Sequence, residues 1–152
     1  AHFKSKKQKF KNLFLYFSFM LFEFTVKTKK REQIIDITTK IKSIIKQSKV
    51  VHGLAFLYVP HATAALIINE NYDPAVCEDI ITWLKKQVPQ GIWKHDAIDS
   101  NADSHIKSSL LGCSQFLIIK NNEPVLGQWQ GISLVELDGP RERRILIKVI
   151  EC

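Results

Sequence analysis

Alternation of apolar and polar residues predicts the first strand of this chain. Residues 22–28 (Phe-Glu-Phe-Thr-Val-Lys-Thr) alternate as a half-buried strand does. Later runs rich in β-branched and aromatic residues predict further strands at 54–59, 63–68, 116–119, 125–128, 132–137 and 145–150. Asn121-Asn122 and Asp138-Gly139-Pro140 supply turns among the last of these strands.

Apolar residues at helical spacing predict three helices. The first follows Asp36, a residue type that caps helices, and places on one face Ile37, Ile41, Ile44 and Ile45. The second begins at Asp73-Pro74 and buries Val76, Ile80, Ile81, Leu84 and Val88. The third is capped by Asn101 and ends at Gly112. Residues 92–100 have no periodicity and are predicted to form an irregular loop.

The order of these elements predicts the fold class. A strand, a helix, two strands, two helices and a final run of strands are typical of a compact α+β domain, with a mixed or mostly antiparallel sheet and helices packed on one side. The 152 residues, of which 45% are hydrophobic, suffice for one domain with its own core. No internal repeat or second domain is indicated.

Charge is distributed unevenly. The 22 Lys and Arg against 15 Asp and Glu give a net charge of +7. Residues 1–19 contribute five lysines and no acid, which leaves +2 for residues 20–152. We therefore expect residues 1–19 to be an N-terminal extension or an expression artefact, and Met20, the only methionine, to be the genuine start. A membrane or nucleic-acid anchor is the rival interpretation.

The cysteines and the apolar run near the N-terminus indicate the cellular compartment in which the protein is expected. The run from Leu13 to Phe22 is too short for a membrane span, which needs about 20 residues, and no small-x-small cleavage site follows it. The three cysteines form no C-x-x-C pair. We expect a cytoplasmic protein.

Three histidines lie where core packing does not obviously explain them. His61 follows a strand, His95 lies in the irregular loop and His105 lies on the third helix. Three imidazoles with a fourth position left to water match an open zinc site. Surface or hydrogen-bonded structural histidines are the alternative.

Other polar groups stand at strand ends. Asn69-Glu70-Asn71 follows an apolar strand and can orient a ligand or cap a turn. Gly127-Gln128-Trp129-Gln130-Gly131 offers close backbone approach and a ring for stacking, or else a tight hairpin. Arg141, Arg143 and Arg144 suit phosphate groups, although such a cluster is more often a solvated edge.

Several motifs in order resemble the YjbQ family of secondary thiamine-phosphate synthase-like proteins over residues 20–152. The motifs are PHATAALIINEN (60–71), NADSHIKSSLLG (101–112), LGQWQGI (126–132) and DGPRERR (138–144). The resemblance implies a compact α+β domain, usually assembled as a trimer with a pocket near the subunit interfaces. Two departures are Ala62 and Gln128, which stand where the family usually has Thr.

The resemblance also implies site residues. It places His61, Glu70, His95 and His105 as catalytic residues, with the three histidines as ligands of a divalent metal, zinc or magnesium. It implies a substrate or anion site that is formed by Thr63, Asn69, Gly127, Trp129, Gln130 and Arg144. We add Lys107 to this site, because an anionic group needs positive charge.

The implied activity joins hydroxymethylpyrimidine diphosphate to thiazole phosphate with release of pyrophosphate, and whether the chain is an enzyme stays open. One alternative is a metal-dependent hydrolase or phosphotransferase acting on a small phosphorylated metabolite. Another is a non-catalytic protein that binds a small anion or nucleic acid. Because the +7 is mostly carried by residues 1–19, a small phosphorylated substrate is expected rather than a nucleic acid or a membrane, and a homotrimer is the expected assembly.

Overall fold

Eight strands and three α-helices make up the part of the chain, residues 19–152, that the computed structural model describes. The strands are β1 (Phe19–Lys27), β2 (Gln33–Asp36), β3 (His52–Tyr58), β4 (Ala64–Glu70), β5 (Ser114–Lys120), β6 (Glu123–Pro124), β7 (Gln130–Glu136) and β8 (Glu142–Glu151). The helices are α1 (Thr38–Ser48), α2 (Pro74–Gln87) and α3 (Ala102–Leu111), with a 3-10 turn at Lys94–Ala97. The fold is a compact α+β domain, as the order of elements predicts.

The strands form two antiparallel sheets. The larger sheet has the order β1-β8-β3-β5-β6, and the smaller has the order β2-β7-β4. In the smaller sheet Ala64 lies opposite Glu136, and Glu70 lies opposite Gln130. We call these the Glu136 end and the Gln130 end. Six residues of strand separate them, which is about 20 Å at ~3.3 Å per residue.

The main core lies between the two sheets. The inner face of the larger sheet contributes Leu57, Ile145 and Ile147, and the smaller contributes Leu66 and Leu134. Helix α1 inserts its isoleucine face into the same cluster, because Ile37, Ile41, Ile44 and Ile45 recur at the spacing of a helix. Burying each such side chain stabilises the fold by roughly 1.5–3 kcal/mol before packing losses.

A second apolar cluster covers the opposite face of the smaller sheet. Ala65, Val135 and Leu137 are fully buried there, against Ile81 of α2 and Leu111 of α3. The smaller sheet is therefore buried on both faces, with the larger sheet on one side and two helices on the other. Two polar side chains of β7, Ser133 and Glu136, are therefore buried.

The outer face of the larger sheet remains apolar and exposed. Leu21 is 64% exposed, Phe116 67% and Ile118 61%. Phe116 lies opposite Phe56, and Ile118 lies opposite Leu54, so these side chains form one surface across β3 and β5. Single exposed apolar residues are ordinary, but a contiguous group of them is not.

The predicted boundaries agree with the structure except in three places. Residues 125–128 are not a strand. The strand here, β6, covers only Glu123–Pro124, and the loop that follows it is closed by the side chain of Gln130. Strand β2 was not predicted, since a run of four residues gives little periodicity. The predicted irregular loop at 92–100 contains the 3-10 turn.

The predicted N-cap is confirmed at one of the three helices. Asp73 accepts a hydrogen bond from the amide of Ala75 (2.9 Å). At α1 the N-cap is Ile37, and Asp36 lies one residue before it, although its carboxylate accepts from the amide of Thr38 (2.8 Å). Asn101 stands at the N-cap of α3, but its side chain does not cap the helix.

The interpretations of residues 1–18 lie outside the described residues, and β1 begins one residue before Met20. Residues 19–152 include no helix with the length and apolar character that a membrane crossing requires.

Candidate functional site

His61 lies in the turn that joins β3 to β4, at the Glu136 end of the smaller sheet. Its Nε2 accepts a hydrogen bond from the backbone amide of Arg144, at 2.8 Å. A neutral imidazole has one acceptor nitrogen and one N–H, so this bond leaves the proton on Nδ1. Burial lowers the pKa of His61, and the positive charges of Arg143 and Arg144 lower it further. His61 is therefore a neutral hydrogen-bond donor at Nδ1.

A buried ion pair lies beside this histidine. Arg143 is 3% exposed and Glu136 is fully buried. Arg143 donates from Nε to Oε2 of Glu136 (2.8 Å) and from Nη2 to Oε1 (2.6 Å). The same Nη2 donates to the hydroxyl of Thr63 at 2.9 Å. The pair thus ties β7 and β8 to the start of β4, two residues from His61.

Glu136 is held as a carboxylate by several donors. Burial alone raises its pKa, but hydrogen bonds from Arg143, the Asp138 amide and Thr28, together with the charge of Arg143, leave the pKa below its ordinary value. The amides of Leu137 and Asp138 each donate to Oε1 at 2.8 Å. A carboxylate with this many donors is a fixed structural anion.

A cleft of about 540 Å³ opens above the ion pair. It is lined by His61, Ala62, Thr63, Asn101, His105, Asp138, Arg141, Glu142 and Arg143. Arg141 donates from Nη2 to Oδ2 of Asp138 at 2.7 Å, and Lys27 pairs with Glu142 at 3.2 Å. The cleft therefore combines imidazole and guanidinium donors with carboxylate acceptors.

The predicted histidines come together only in part. His61 and His105 line the same cleft, and His105 is presented there by α3. The ring of His95 meets the ring of His105 edge to face, with centroids 5.2 Å apart, but His95 is not part of the cleft wall. Asp96 sets this arrangement, because its carboxylate accepts from the amides of Trp93 (2.9 Å) and Ala102 (3.1 Å) and so joins the 3-10 turn to α3.

A three-histidine metal site does not fit the geometry of one chain. Within residues 19–152, no three His, Cys, Asp or Glu side chains are grouped closely enough to hold a metal ion. In addition, Nε2 of His61 is already occupied by the Arg144 amide. The divalent metal stays a prediction.

Lys107 lies in a separate, enclosed cluster. It is 1% exposed, and its Nζ donates to Glu32 (2.6 Å) and to Asp103 (2.8 Å). Asp103 also pairs with Arg31 at 2.9 Å. Burial raises the pKa of Asp103, but hydrogen bonds from Arg31 and Lys107 outweigh it and hold the pKa below its ordinary value. This cluster joins the loop after β1 to α3.

The remaining predicted residues lie at the Gln130 end. Asn69 is opposite Gly131 and Glu70 is opposite Gln130. The side chain of Gln130 accepts from the amide of Gly127 at 2.8 Å and closes the loop between β6 and β7.

Trp129 stands at the same end, is 53% exposed, and packs edge to face on Tyr72 with centroids 5.4 Å apart. The structure thus divides the predicted site between two ends of one sheet.

Gly131 explains why this motif ends in glycine. A Cβ at Gly131 would overlap the side chain of Asn71, which lies directly against the backbone there. The N-E-N and G-x-W-Q-G motifs are therefore packed together, and their glycine is required by close approach rather than by a special backbone angle.

Sequence reasoning missed Glu136, Asp138 and the role of Asn101. One signal was present, because Glu136 ends an otherwise apolar strand, and a carboxylate in a core strand needs a cationic partner. Arg143 was named only as part of a basic cluster, and nothing in the spacing pairs it with Glu136. Asn101 was predicted as a helix cap.

Known proteins resemble this chain over nearly all of the described residues. A model of the family described as "UPF0047 protein YjbQ-like" matches residues 22–152. A UPF0047 protein of Methanocaldococcus jannaschii is 52% identical over 131 residues, covering 86% of this chain and 94% of the relative. The UPF0047 protein YugU of Bacillus subtilis is 39% identical over 134 residues, covering 86% and 99%.

Solved structures agree in fold. A YbjQ-like protein of unknown function from Sulfolobus solfataricus superimposes with a TM-score of 0.86 at 34% identity, covering 90% of this chain and 100% of that one. An uncharacterised YjbQ/UPF0047 protein from Clostridium acetobutylicum gives a TM-score of 0.82 at 45% identity, covering 85% and 99%. By sequence and by fold, the chain belongs to the YjbQ-like UPF0047 family.

Proposed function

We propose that the cleft beside His61 binds the phosphate groups of a small phosphorylated metabolite, and that the chain is a secondary thiamine-phosphate synthase-like enzyme. One observation carries the proposal. The Arg144 amide fixes His61 as a neutral donor at Nδ1, in a cleft that His105 and Arg141 also line. N–H groups and guanidinium groups held in place are suited to phosphate oxygens.

The positive charge available to an anion comes from two arginines. Arg144 is exposed and lies close enough to His61 to lower its pKa, but it is not one of the residues that line the cleft, so it contributes charge from beside the site. Arg141 is paired with Asp138 at 2.7 Å, and its side chain is 54% exposed, so it can turn toward a ligand. Arg143 is committed to Glu136 and acts by holding Thr63.

The reaction itself requires neither an oxidant nor a reductant. The ring nitrogen of the thiazole phosphate forms a bond to the methylene carbon of hydroxymethylpyrimidine diphosphate. The bond from that carbon to the diphosphate oxygen breaks, and its electron pair leaves with pyrophosphate. Stabilising the charge on the departing pyrophosphate is the main demand on the protein, and fixed donors meet it.

A divalent metal would add positive charge to the pyrophosphate. Since the histidines of one chain do not fit such an ion, no step is assigned to it, and the phosphate oxygens themselves would have to supply some of its ligands.

The assay is formation of thiamine phosphate from the two phosphorylated precursors, followed by chromatography. We expect His61→Ala and Arg141→Ala to lower the rate tenfold or more, since each removes a donor that lines the cleft. His52→Ala is the control, because His52 is exposed at the start of β3, whereas His61 follows the other end of that strand.

Three results would contradict parts of the proposal. Full activity in His61→Ala would remove the cleft as the site. Binding of inorganic pyrophosphate without any thiamine phosphate formed would leave an anion site and remove the synthase activity. Release of inorganic phosphate from a phosphorylated metabolite would favour the hydrolase or phosphotransferase alternative.

A homotrimer is the assembly we propose, with copies of this chain packed on the outer face of the larger sheet. Leu54, Phe116 and Ile118 form an apolar surface across two strands, continued by Ile150 opposite Leu54 on β8. In a trimer each interface is heterologous, so the outer sheet face of one copy would pack on a different surface of the next copy, and closure of the ring buries that face in every copy.

Light scattering after gel filtration tests the assembly. A Phe116→Glu and Ile118→Glu double variant is expected to run as a monomer. Trp83→Glu is the matched control, because Trp83 is also an exposed apolar residue (58%) but lies on α2. A double variant that stays trimeric, or a wild type that is monomeric, would refute this interface.

The cytoplasm is the compartment that we propose. Cys77, Cys113 and Cys152 are all free thiols, as in a reducing environment. Fractionation of the native cells with an antibody to the chain would check this, and recovery from outside the cytoplasm would contradict it.

A further inference from the structure

Asn101 occupies the N-cap position of α3 without capping the helix. Its side chain makes no hydrogen bond to the amides of the first turn. The amide of Ala102 donates instead to Oδ1 of Asp96, at 3.1 Å. Asparagine is a preferred N-cap residue because its side-chain oxygen accepts such a bond. Here Asp96 performs that role, and the carboxamide of Asn101 is left for another.

One half of that carboxamide has a partner. Nδ2 donates to Oδ2 of Asp138 at 3.0 Å, and this bond fixes which side of the amide carries the nitrogen. A flipped amide would bring its oxygen against the Asp138 carboxylate, where neither group has a proton to share. The position of Oδ1 is therefore determined.

The oxygen of the Asn101 carboxamide has no hydrogen-bond partner. Oδ1 of Asn101 is buried and lacks a hydrogen-bond partner, and it is the only such side-chain atom found in residues 19–152. Buried polar groups nearly always have a partner, so an orphaned acceptor needs an explanation. Asn101 lines the cleft together with His61 and His105, which is where a ligand would supply the missing donor.

We infer that Asn101 determines specificity by accepting a hydrogen bond from an N–H group of the ligand. The inference rests on the proposed function, and it narrows the substrate class to small phosphorylated compounds that carry an amino group or a ring N–H. His61 and Arg141, which both line the cleft, hold the phosphate, and Asn101 accepts the hydrogen bond from the N–H group at the α3 side of the cleft. Because Oδ1 is covered in the free chain, the inference requires a neighbouring lining side chain to move aside when the ligand binds.

Two probes that differ in one group test this. Thiamine phosphate carries an amino group on its pyrimidine ring, and in desaminothiamine phosphate a hydrogen replaces that group. Titration calorimetry on the full chain is expected to show a preference of about tenfold for thiamine phosphate, because a site that accepts a hydrogen bond rejects the analogue that lacks the donor. Inorganic pyrophosphate is the third probe and reports the anion site alone.

Two variants test whether Asn101 is the source of the preference for thiamine phosphate. Asn101→Leu is expected to bind the two compounds with equal affinity and to keep its affinity for pyrophosphate. Gln90→Ala is the matched control, because Gln90 donates to the carbonyl of Ser100, the neighbour of Asn101, but lies outside the cleft. The control is expected to keep the wild-type preference.

A measurement on the wild-type chain covers the case in which Asn101→Leu does not fold. The side-chain amide signal of Asn101 in a nitrogen-15 spectrum is expected to shift with thiamine phosphate and to stay in place with pyrophosphate.

Equal affinity of the wild type for both compounds, or a preference that survives in Asn101→Leu, would overturn the inference, while binding of pyrophosphate would keep the phosphate site of the proposed function. If none of the three probes binds, the proposed function fails and the inference fails with it.

Discussion

The two ends of the smaller sheet hold their polar side chains in different ways. At the Glu136 end the carboxylate is fully buried and receives bonds from a guanidinium, a hydroxyl and two amides. At the Gln130 end, Glu70 is only half-buried, and Trp129 and Tyr72 are exposed. The buried end fixes geometry through charge, whereas the exposed end depends on loop packing. Fixed donors beside His61 are therefore the more rigid part of the candidate site.

Substitution of the two acids that end the paired strands tests this difference most strongly. Glu136→Gln leaves the buried charge of Arg143 without its counterion, and we expect a loss of about 3–5 kcal/mol in the free energy of unfolding. Glu70→Gln is the matched change at the other end and should cost less than about 0.5 kcal/mol. Urea denaturation measures both. Similar losses in the two variants would show that the ends do not differ in this way.

A smaller effect is expected from added volume at the Gln130 end. Gly131→Ala places a methyl group on the side chain of Asn71 and should destabilise the fold by about 1–3 kcal/mol. Gly127→Ala is the control, since its Cβ would lie 3.3 Å from Oε1 of Gln130, at the end of a flexible side chain. Removing the obstacle with Asn71→Ala should restore most of the loss in a double variant. No recovery would mean that Asn71 is not the obstacle.

How much the sequence predicts differs between the same two ends. The Gln130 end is visible as motifs, because Asn69 to Asn71 and Gly127 to Gly131 are short, contiguous and at strand ends. The two motifs pack on each other because β4 pairs with β7. The spacing of the motifs along the sequence does not predict that pairing.

The Glu136 end is mostly invisible, because its partners come from distant parts of the chain. Thr28 lies 108 residues from Glu136, and Thr63 lies 80 residues from Arg143. Fold class, six of the eight strands in outline and the three helices follow from periodicity. The division of the site residues between two ends depends on long-range pairing, which single residues do not signal.

The free energy of unfolding should fall in acid, and part of that fall should come from protonation of Glu136. Hydrogen bonds and the charge of Arg143 hold the pKa of Glu136 below its ordinary 4.5, despite burial. Its stabilisation is complete above that ordinary value and is lost as pH falls through the lower pKa of the folded state. The pH dependence of unfolding should therefore be less steep in Glu136→Gln, by up to about 1.4 kcal/mol per pH unit.

A second carboxylate, Asp103, also makes the stability of the protein depend on pH in the acid range. The pKa of Asp103 is also lowered, by Arg31 and Lys107 against the effect of burial, so some acid sensitivity remains in Glu136→Gln. Urea midpoints measured across the acid range in both proteins supply the test. Parallel pH profiles for the two would contradict the assignment to Glu136.

His61 adds a separate, milder dependence. Burial, with Arg143 and Arg144, lowers its pKa below the ordinary 6.5, so the unfolded chain binds this proton more readily than the folded one. Stability should then decline as pH falls below about 6.5, and His61→Gln should remove that decline. The nitrogen-15 and proton shifts of the imidazole report the titration directly. A folded-state pKa at or above the ordinary value would contradict the bond from the Arg144 amide.

The smallest effect is expected at the exposed aromatic pair. Tyr72 and Trp129 meet edge to face at 5.4 Å, with exposures of 77% and 53%. A double-mutant cycle with Tyr72→Ala and Trp129→Ala should give a coupling energy of about 0.5–1 kcal/mol, because an exposed pair gains little beyond its ring geometry. Coupling of several kcal/mol would mean that this end is held as firmly as the Glu136 end. In that case the contrast between a charge-fixed end and a loop-packed end would have to be abandoned.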